Sequence, residues 1–368
     1  MKKRVLVLGC TGSIGSQTLD IISHMSDRFS VCGLAAGSSK DKLSSLCKQF
    51  SCKGTLFSED GIEGIKQLVE SCGADIAVNG IAGSAGLEPS LIVLQNGIDL
   101  ALANKETVVM AWPLVQKLAT VNNVHIVPVD SEHSAIFNLV QKIGSNNISE
   151  LIITASGGPF RTYTKEQLSS VTVEQALHHP TWNMGPKITV DSATLANKGL
   201  EVIEACRLFN FPASSVKVVV HPQSLVHSLV RTRDGMLYAQ ISNPDMRHPI
   251  FGALVWPEYV SNYLEPFDLA GHEMTFFPPR MDDFPLLSYA FSCAEKGNSY
   301  TIAFNAANEI AVHAFLEHTC SFSCISECVH FVLQNDWSIV PDTLDEVLTQ
   351  DKKARNIASS FLASGGSV

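Results

Sequence analysis

Three things are scarce in this chain. No stretch approaches the roughly 20 consecutive apolar residues that a bilayer-crossing helix needs. No Cys-x-x-Cys pair occurs, although there are 10 cysteines, so a zinc or iron–sulfur site is not expected. Positive charge is in deficit: 26 Lys and Arg stand against 36 Asp and Glu, a formal net charge of −10. That disfavours nucleic acid as a partner, because phosphate backbones are held mainly by Lys and Arg. Charged residues make up 17% and hydrophobic ones 45%, the balance of a globular protein expected to be soluble and free of membranes.

The opening residues Met1 to Cys10 imitate a secretory or lipoprotein leader, but the apolar stretch falls short of the about 7 to 15 residues of an h-region. A buried first strand explains it better. Ten cysteines with no such leader suggest reduced thiols in the cytoplasm. Cys320, Cys324 and Cys328 recur at the spacing of one buried helix side.

At 368 residues the chain is too long for one ordinary core, and about two or three domains are expected. Short β-branched runs at 5–8, 31–35, 75–79, 99–102 and 124–127 alternate with helix-like spacing at 16–25, 87–95 and 107–119, with Asn104 as an N-cap. That alternation predicts a Rossmann-like, doubly wound parallel sheet. Strand candidates at 151–154, 216–220, 228–231 and 237–241 predict a central α+β catalytic domain. Segments 286–296, 299–317, 321–334 and 342–363 predict a C-terminal helical bundle. The expected domains are 1–130 for the nucleotide, 131–270 for catalysis, a linker at 271–285 and a helical domain at 286–368.

The first strand candidate runs into Gly9-Cys10-Thr11-Gly12-Ser13-Ile14-Gly15 and then a helix, a placement that lets backbone approach a pyrophosphate at a helix N-terminus. A tight turn is the plainer alternative. NAD-binding folds usually carry Asp or Glu after the second strand. Here the text reads Ala36-Gly37-Ser38-Ser39-Lys40: no carboxylate repels a 2′-phosphate, two hydroxyls and a lysine can receive it, and NADPH is favoured over NADH.

Val127 to His133 ends a strand candidate with Asp130-Ser131-Glu132. If strand geometry persists, both carboxylates face one side, where a shared proton or a hard cation would justify their closeness. A solvated loop with an N-cap is equally open. In Ile188 to Glu201, Asn197 and Glu201 lie at i and i+4 with Lys198 beside them, in what reads as one helix opening with a hydroxyl cap. A surface Lys198–Glu201 pair is the alternative. Gly199 in that helix costs about 1 kcal/mol relative to Ala, which close approach by a neighbour would offset. Ser156 before Gly157-Gly158 suits a phosphate or merely a turn. His179 reads as proton carrier, phosphate donor or satisfied core imidazole, and Trp182 and Met184 suggest an apolar loop that closes over a ligand.

These segments together closely resemble the 1-deoxy-D-xylulose 5-phosphate reductoisomerase family. Further matching motifs are Ala103 to Glu106, His221-Pro222-Gln223-Ser224, Asp245-Met246-Arg247 and Phe304 to Glu309, so the resemblance covers nearly the whole chain. It implies that Thr11, Gly12, Ser13, Ile14, Gly37, Asn104, Glu106 and Gly185 contact NADPH, with Ser38 and Ser39 near its 2′-phosphate. It implies Mg²⁺ or Mn²⁺ on Asp130, Glu132 and Glu201, for which all-oxygen ligands are suited. It places a sugar phosphate substrate against Lys105, Ser131, Glu132, Ser156, His179, Ser192, Asn197, Lys198 and Glu201, with the phosphate mainly on Ser156, Ser192, Asn197 and Lys198.

The implied catalytic set is Asp130, Glu132, Glu201, Lys105 and His179, and the implied assembly is a homodimer. The implied chemistry is a retro-aldol and aldol rearrangement followed by hydride transfer from NADPH, with the cation as Lewis acid. Three positions depart from the family pattern: Ser38-Ser39 where Lys-Asn is common, His178 where Arg often stands, and Pro186 where a basic residue often follows Gly185. A simple NADPH-dependent aldehyde reductase, which needs no carboxylate trio, and a non-catalytic NADPH sensor are the rival readings.

Overall fold

The computed structural model describes residues 2–182 and 184–365; Asn183 of the Trp182 loop and the terminal residues 1 and 366–368 lie outside the described residues. The chain begins with β1 (Lys3–Leu8), α1 (Ser13–His24), β2 (Phe29–Ala36), α2 (Lys40–Phe50), β3 (Lys53–Leu56), α3 (Phe57–Cys72), β4 (Ile76–Asn79), α4 (Leu87–Gln95), β5 (Asp99–Leu102), α5 (Lys105–Asn122), β6 (Ile126–Pro128) and α6 (Ser131–Ile143). It continues with β7 (Ile148–Ala155), α7 (Lys165–Leu168), α8 (Val173–Ala176), α9 (Pro186–Thr194), α10 (Ala196–Leu208), β8 (Val216–Val220), β9 (Val226–Thr232), β10 (Leu237–Ile241) and α11 (Arg247–Val255). Four helices end it: α12 (Leu286–Lys296), α13 (Tyr300–Leu316), α14 (Phe322–Leu333) and α15 (Leu344–Ala363).

The fold divides into two units. The first runs to Thr107 and adds Trp112–Phe137 and Asp245–Phe267. Its six strands are all parallel, in the order β3-β2-β1-β4-β5-β6, and the order reverses between β1 and β4. That is where doubly wound sheets open a crevice for nucleotides. The apolar opening run is a central strand, with Val5, Leu6, Val7 and Leu8 all 0% exposed. One sheet face packs on α1 and on α11, whose Ile250, Phe251 and Leu254 join the cluster of Leu19, Ile21, Ile22 and Phe29. The short edge strand β3, Lys-Gly-Thr-Leu, was not visible in the pattern, since only Thr55 and Leu56 of its four residues are buried.

The second unit comprises Val108–Ala111, Asn138–Pro244 and the chain from Asp268 onward. Its four-stranded sheet has the order β10-β9-β7-β8, parallel only between β7 and β8. α10 packs on β7, β8 and α12. Gly199 is the reason α12 can approach: an added Cβ would lie 2.6 Å from the Ala290 Cβ, so the predicted close neighbour exists. Cys324 and Cys328 are buried on α14, while Cys320 precedes the helix.

The stretch Ile188 to Glu201 is two helices rather than one, because Leu195 adopts a left-handed conformation (φ 61°, ψ 11°) between α9 and α10. Asp191 and Ser192 therefore lie in the last turns of α9; the N-cap of α10 is Leu195, which has no hydroxyl, and the Thr194 Oγ1 before it accepts from Ala196 N at 3.3 Å. Another break has an identifiable cause. α5 is irregular at Ala111 and contains Pro113, which cannot donate to the Val109 carbonyl one turn back. Half-buried Arg207 donates instead, to Val108 O at 2.6 Å and Val109 O at 2.5 Å, and also holds Thr301 Oγ1 at 2.8 Å.

Candidate active site

In the first unit, the turn from β1 into α1 is shaped by contacts only glycine allows. Gly9 has φ +78°, and a Cβ there would lie 2.9 Å from the Gly80 carbonyl oxygen. A Cβ on Gly15 would lie 2.3 Å from Gly9 O and 2.5 Å from the Cys10 Cα, so α1 sits directly on the loop. Gly12 has room, with only Gly9 O at 3.4 Å. The first turn of α1 has no side-chain cap and no acidic residue, which leaves its N–H groups and dipole to an anion. Lys42, missed in the sequence, donates from Nζ to Thr11 O at 2.9 Å and steadies the loop.

After β2, Gly37, Ser38, Ser39 and Lys40 are all exposed at the start of α2. Lys40 Nζ lies 2.9 and 3.2 Å from the two Glu59 carboxylate oxygens, so the lysine expected to receive a 2′-phosphate already holds an exposed counter-ion.

The neighbouring strands β5 and β6 end in strand-to-helix junctions that face each other. At the first, Asn104 caps α5: its Oδ1 accepts from Thr107 N at 2.9 Å, and its Nδ2 donates to Ile81 O, Gly83 O and Glu106 Oε2 at 2.8 to 3.0 Å. Lys105 and Glu106 are each only 5% exposed. At the second, strand geometry does not persist through Asp130-Ser131-Glu132, because α6 begins at Ser131. Asp130 instead caps the helix, accepting from Glu132 N at 3.3 Å.

The closeness of Asp130 and Glu132 is thus a helix-start arrangement rather than a pleat, and both carboxylates are half-buried. Lys105 Nζ pairs with Asp130 Oδ2 at 2.6 Å, and fully buried His133 lies 3.8 Å from Oδ1. Burial penalises the Asp130 charge, but Lys105 and then His133 outweigh it, and the carboxyl is held well below its usual range. Ser131 Oγ donates to Glu132 Oε2 at 2.6 Å. An ionised Asp130 beside a second carboxylate is an all-oxygen donor set that suits Mg²⁺ or Mn²⁺. His133 was not singled out in the sequence; its position three residues after Asp130 on one helix start was the available signal.

In the second unit, β7 ends at Ala155 and the chain turns through Ser156-Gly157-Gly158, both glycines at positive φ. His179 faces this turn and is only partly buried, so it is not a core imidazole. Its Nδ1 accepts from Thr181 N at 3.1 Å and Trp182 N at 2.8 Å. That fixes the proton on Nε2, which donates to Ser156 Oγ at 2.9 Å. Ser156 Oγ also accepts from Gly158 N at 3.2 Å. With two hydrogen bonds accepted, the Ser156 hydroxyl is left to donate outward. Burial first, then the Arg161 charge, pushes the His179 pKa down to about 4, so the ring is neutral near pH 7.

On α10, Glu201 is 1% exposed and accepts from Asn197 Nδ2 through Oε1 at 2.5 Å and from Lys198 Nζ through Oε2. Lys198 is 4% exposed, so the pair is not a surface ion pair. Ser192 is brought against the Ser156 turn, since a Cβ on Gly158 would lie 2.7 Å from Ser192 O. Gly185 is the exposed N-cap of α9, and Pro186 follows at the first helical position, where its missing N–H costs nothing. Trp182 approaches His227, ring centroids 6.5 Å apart. Within the units, then, the structure gathers Lys105, Asp130, Ser131 and Glu132 in one place, Ser156, His179 and Ser192 in another, and Asn197, Lys198 and Glu201 in a third.

Family models match almost end to end. The model for 1-deoxy-D-xylulose 5-phosphate reductoisomerase covers residues 5–60 and 55–112, and two models for C-terminal domains of the same enzyme cover 126–209 and 241–357. The 1-deoxy-D-xylulose 5-phosphate reductoisomerase of Treponema pallidum is 48% identical over 367 residues, covering 98% of each chain. The solved structure of the Zymomonas mobilis enzyme in complex with NADPH is 36% identical with a TM-score of 0.90, covering 98% of this chain and 99% of that one. A second, in complex with NADPH, fosmidomycin and magnesium, is also 36% identical with a TM-score of 0.90, over 98% of both. No described helix is long and apolar enough to cross a membrane. On matches that span nearly its whole length, the chain belongs to the 1-deoxy-D-xylulose 5-phosphate reductoisomerase family.

Proposed function

We infer that this chain converts 1-deoxy-D-xylulose 5-phosphate to 2-C-methyl-D-erythritol 4-phosphate as an NADPH-dependent, divalent-metal-assisted reductoisomerase. The observation that carries this reading is the junction where buried Lys105 pairs with Asp130 beside Ser131 and Glu132, on the sheet whose first turn presents an uncapped helix to an anion. A plain aldehyde reductase needs the second feature but not the first. When bound, NADPH supplies the hydride and Mg²⁺ or Mn²⁺ supplies Lewis acidity toward oxygens that gain charge during carbon-skeleton rearrangement.

Asp130, Glu132 and Glu201 are the proposed metal ligands. Lys105 keeps Asp130 ionised and offsets negative charge at the substrate, and Ser131 reaches the substrate between two ligand-bearing residues. Ser156, Ser192, Asn197 and Lys198 are proposed to bind the phosphate, with the Ser156 hydroxyl donating. His179, neutral with its proton on Nε2, orients that serine and the loop bearing Trp182; closure of this loop would exclude water. Phosphate binding far from the reacting carbons supplies energy for closure. The loop amides around Thr11, Gly12, Ser13 and Ile14 are proposed for the pyrophosphate, Gly37, Ser38 and Ser39 for the 2′-phosphate, and Asn104, Glu106 and Gly185 for the rest of NADPH.

By role, residues 1–130 would bind the nucleotide and 131–270 the metal and substrate, with 271–285 leading to the helical part at 286–368. We place the enzyme in the cytoplasm as a homodimer. Support for the dimer comes from β10, an edge strand flanked and lined by exposed Met236, Leu237, Tyr238 and Ile241, which a second copy could cover by edge pairing.

The deciding experiment is NADPH oxidation with the ketose phosphate after chelation, with and without added Mg²⁺ or Mn²⁺, with the product identified by NMR. A branched product formed only with metal is expected. Metal-independent turnover, or reduction without rearrangement, would replace the reading with a plain reductase.

A further inference from the structure

Asp191 is a carboxylate 1% exposed, next to Ser192, and none of the roles above uses it. Its Oδ1 accepts from Asn308 Nδ2 at 2.7 Å, and its Oδ2 pairs with Lys187 Nζ at 2.9 Å, one turn earlier on α9. Asn308 lies on α13 and is 0% exposed; its Oδ1 has no hydrogen-bond partner among the described residues, so the bond to Asp191 is what fixes its amide. α13 is tied in turn to α15, through Glu309, Arg355 and Asp351.

The end of α9 that Asp191 anchors carries one of the proposed phosphate hydroxyls and supports the turn that carries another. Ser192 is the next residue, and the Gly157-Gly158 turn holding Ser156 rests on the Ser192 carbonyl, with no space for even a Cβ at Gly158. A shift of this helix end therefore displaces both hydroxyls together. A buried carboxylate is costly unless hydrogen-bonded and paired, so Asp191 ties the helix end firmly to α13.

We propose that Asn308 is a positioning residue that, through Asp191, sets the affinity for the phosphate end of the substrate without touching it. The proposal rests on Ser156 and Ser192 receiving that phosphate. Asn308→Ala should raise the KM for the ketose phosphate and weaken inorganic phosphate, measured by calorimetry, each by about tenfold, the size of one hydrogen bond to a charged acceptor. The kcat at saturation should fall less than KM rises, since only the share of phosphate binding energy that drives loop closure reaches the chemical step. The Kd for NADPH should not change.

Asn308→Asp should weaken phosphate further by opposing two carboxylates, and the exchanged pair Asp191→Asn with Asn308→Asp should recover much of that loss by reversing donor and acceptor. Asp191→Asn keeps the shape and serves if Asn308→Ala folds poorly. Unchanged phosphate binding in Asn308→Ala together with a lowered melting temperature, or no recovery in the exchanged pair, overturns the proposal. Ser156→Ala and Ser192→Ala separate the two levels. If they leave phosphate binding intact, the phosphate reading fails and takes the proposal with it; if they weaken it while Asn308→Ala does not, only the role of Asn308 fails.

Discussion

Replacing Gly15 by Ala adds one methyl group where the backbone leaves no room for it. The new Cβ would stand 2.3 Å from the Gly9 carbonyl oxygen and 2.5 Å from the Cys10 Cα. Ordinary contact begins about 1 Å further out, and both obstacles are backbone, so no rotamer relieves them. Gly9 is blocked in its own right by Gly80, and Cys10 N and Gly9 N are both bonded to Ala35 O at 2.9 Å. Helix propensity favours Ala by about 1 kcal/mol, whereas overpacking costs about 1 to 3 kcal/mol, with rigid backbone at the upper end. The net expectation is a loss of about 2 kcal/mol in the first unit, a fall of roughly 4 to 8 °C in Tm.

Cofactor binding should suffer more. Displacing the loop by an ångström breaks hydrogen bonds to a charged pyrophosphate at about 1.5 to 3 kcal/mol each, and two lost bonds weaken NADPH by at least about a hundredfold. Gly12→Ala is the matched control: its φ of −82° suits alanine and its Cβ meets only Gly9 O at 3.4 Å, so Tm should hold while the methyl obstructs the pyrophosphate. Fluorescence titration with NADPH and thermal unfolding of both variants decide the matter. Wild-type affinity in Gly15→Ala, or equal destabilisation by both substitutions, would refute the close-approach argument.

Glu201→Gln should lower kcat by several orders of magnitude with the NADPH Kd unchanged; full activity under metal limitation would remove Glu201 from the ligand set. Arg207→Met should cost about 2 to 4 kcal/mol in urea unfolding, because the Val108 and Val109 carbonyls lose their donor; a change below about 0.5 kcal/mol would mean the kinked α5 is held otherwise. The His179 ring should stay neutral by NMR until pH falls to about 4. Because this folded-state value lies below the ordinary 6.5, acid favours the unfolded chain between about pH 6.5 and 4, and His179→Gln should flatten that part of the stability profile. A titration midpoint near 6.5 would remove the assigned tautomer.

How far the sequence could be read followed the period of its residues. The alternation of buried strands and amphipathic helices placed the parallel sheet, and the four C-terminal helices fell within about two residues of their expected ends. β3 escaped because half of its residues are exposed. The break at Leu195 escaped because leucine is a strong helix former and gives no warning of a left-handed turn; there its burial, 4% exposed, offsets the backbone cost.

Within the site, motif residues were legible by type, but their environments were not. The sequence leaves Asp130 and Glu132 open between one side of a strand and a solvated loop with a helix N-cap; they sit at a helix start that Asp130 caps, beside a buried lysine and histidine that no local pattern announces. The local sequence offers Lys40 to a phosphate, whereas Glu59, nineteen residues later, already pairs with it. Such pairings are long-range choices that no local window contains.

At the proposed phosphate site, the proton count at Ser156 bears on inhibitor selectivity. A hydroxyl that already accepts from His179 and Gly158 offers a ligand one hydrogen and no free lone pair of comparable quality. The position therefore filters by hydrogen-bond polarity as well as by charge. Phosphonates and sulfonates satisfy it. A primary amide or sulfonamide turned to present N–H would leave two donors opposed, and guanidine or amine replacements chosen for cell entry would be rejected there even if their shape were ideal. Chemistry aimed at the proposed phosphate site should vary the acceptor, keeping oxygen toward Ser156.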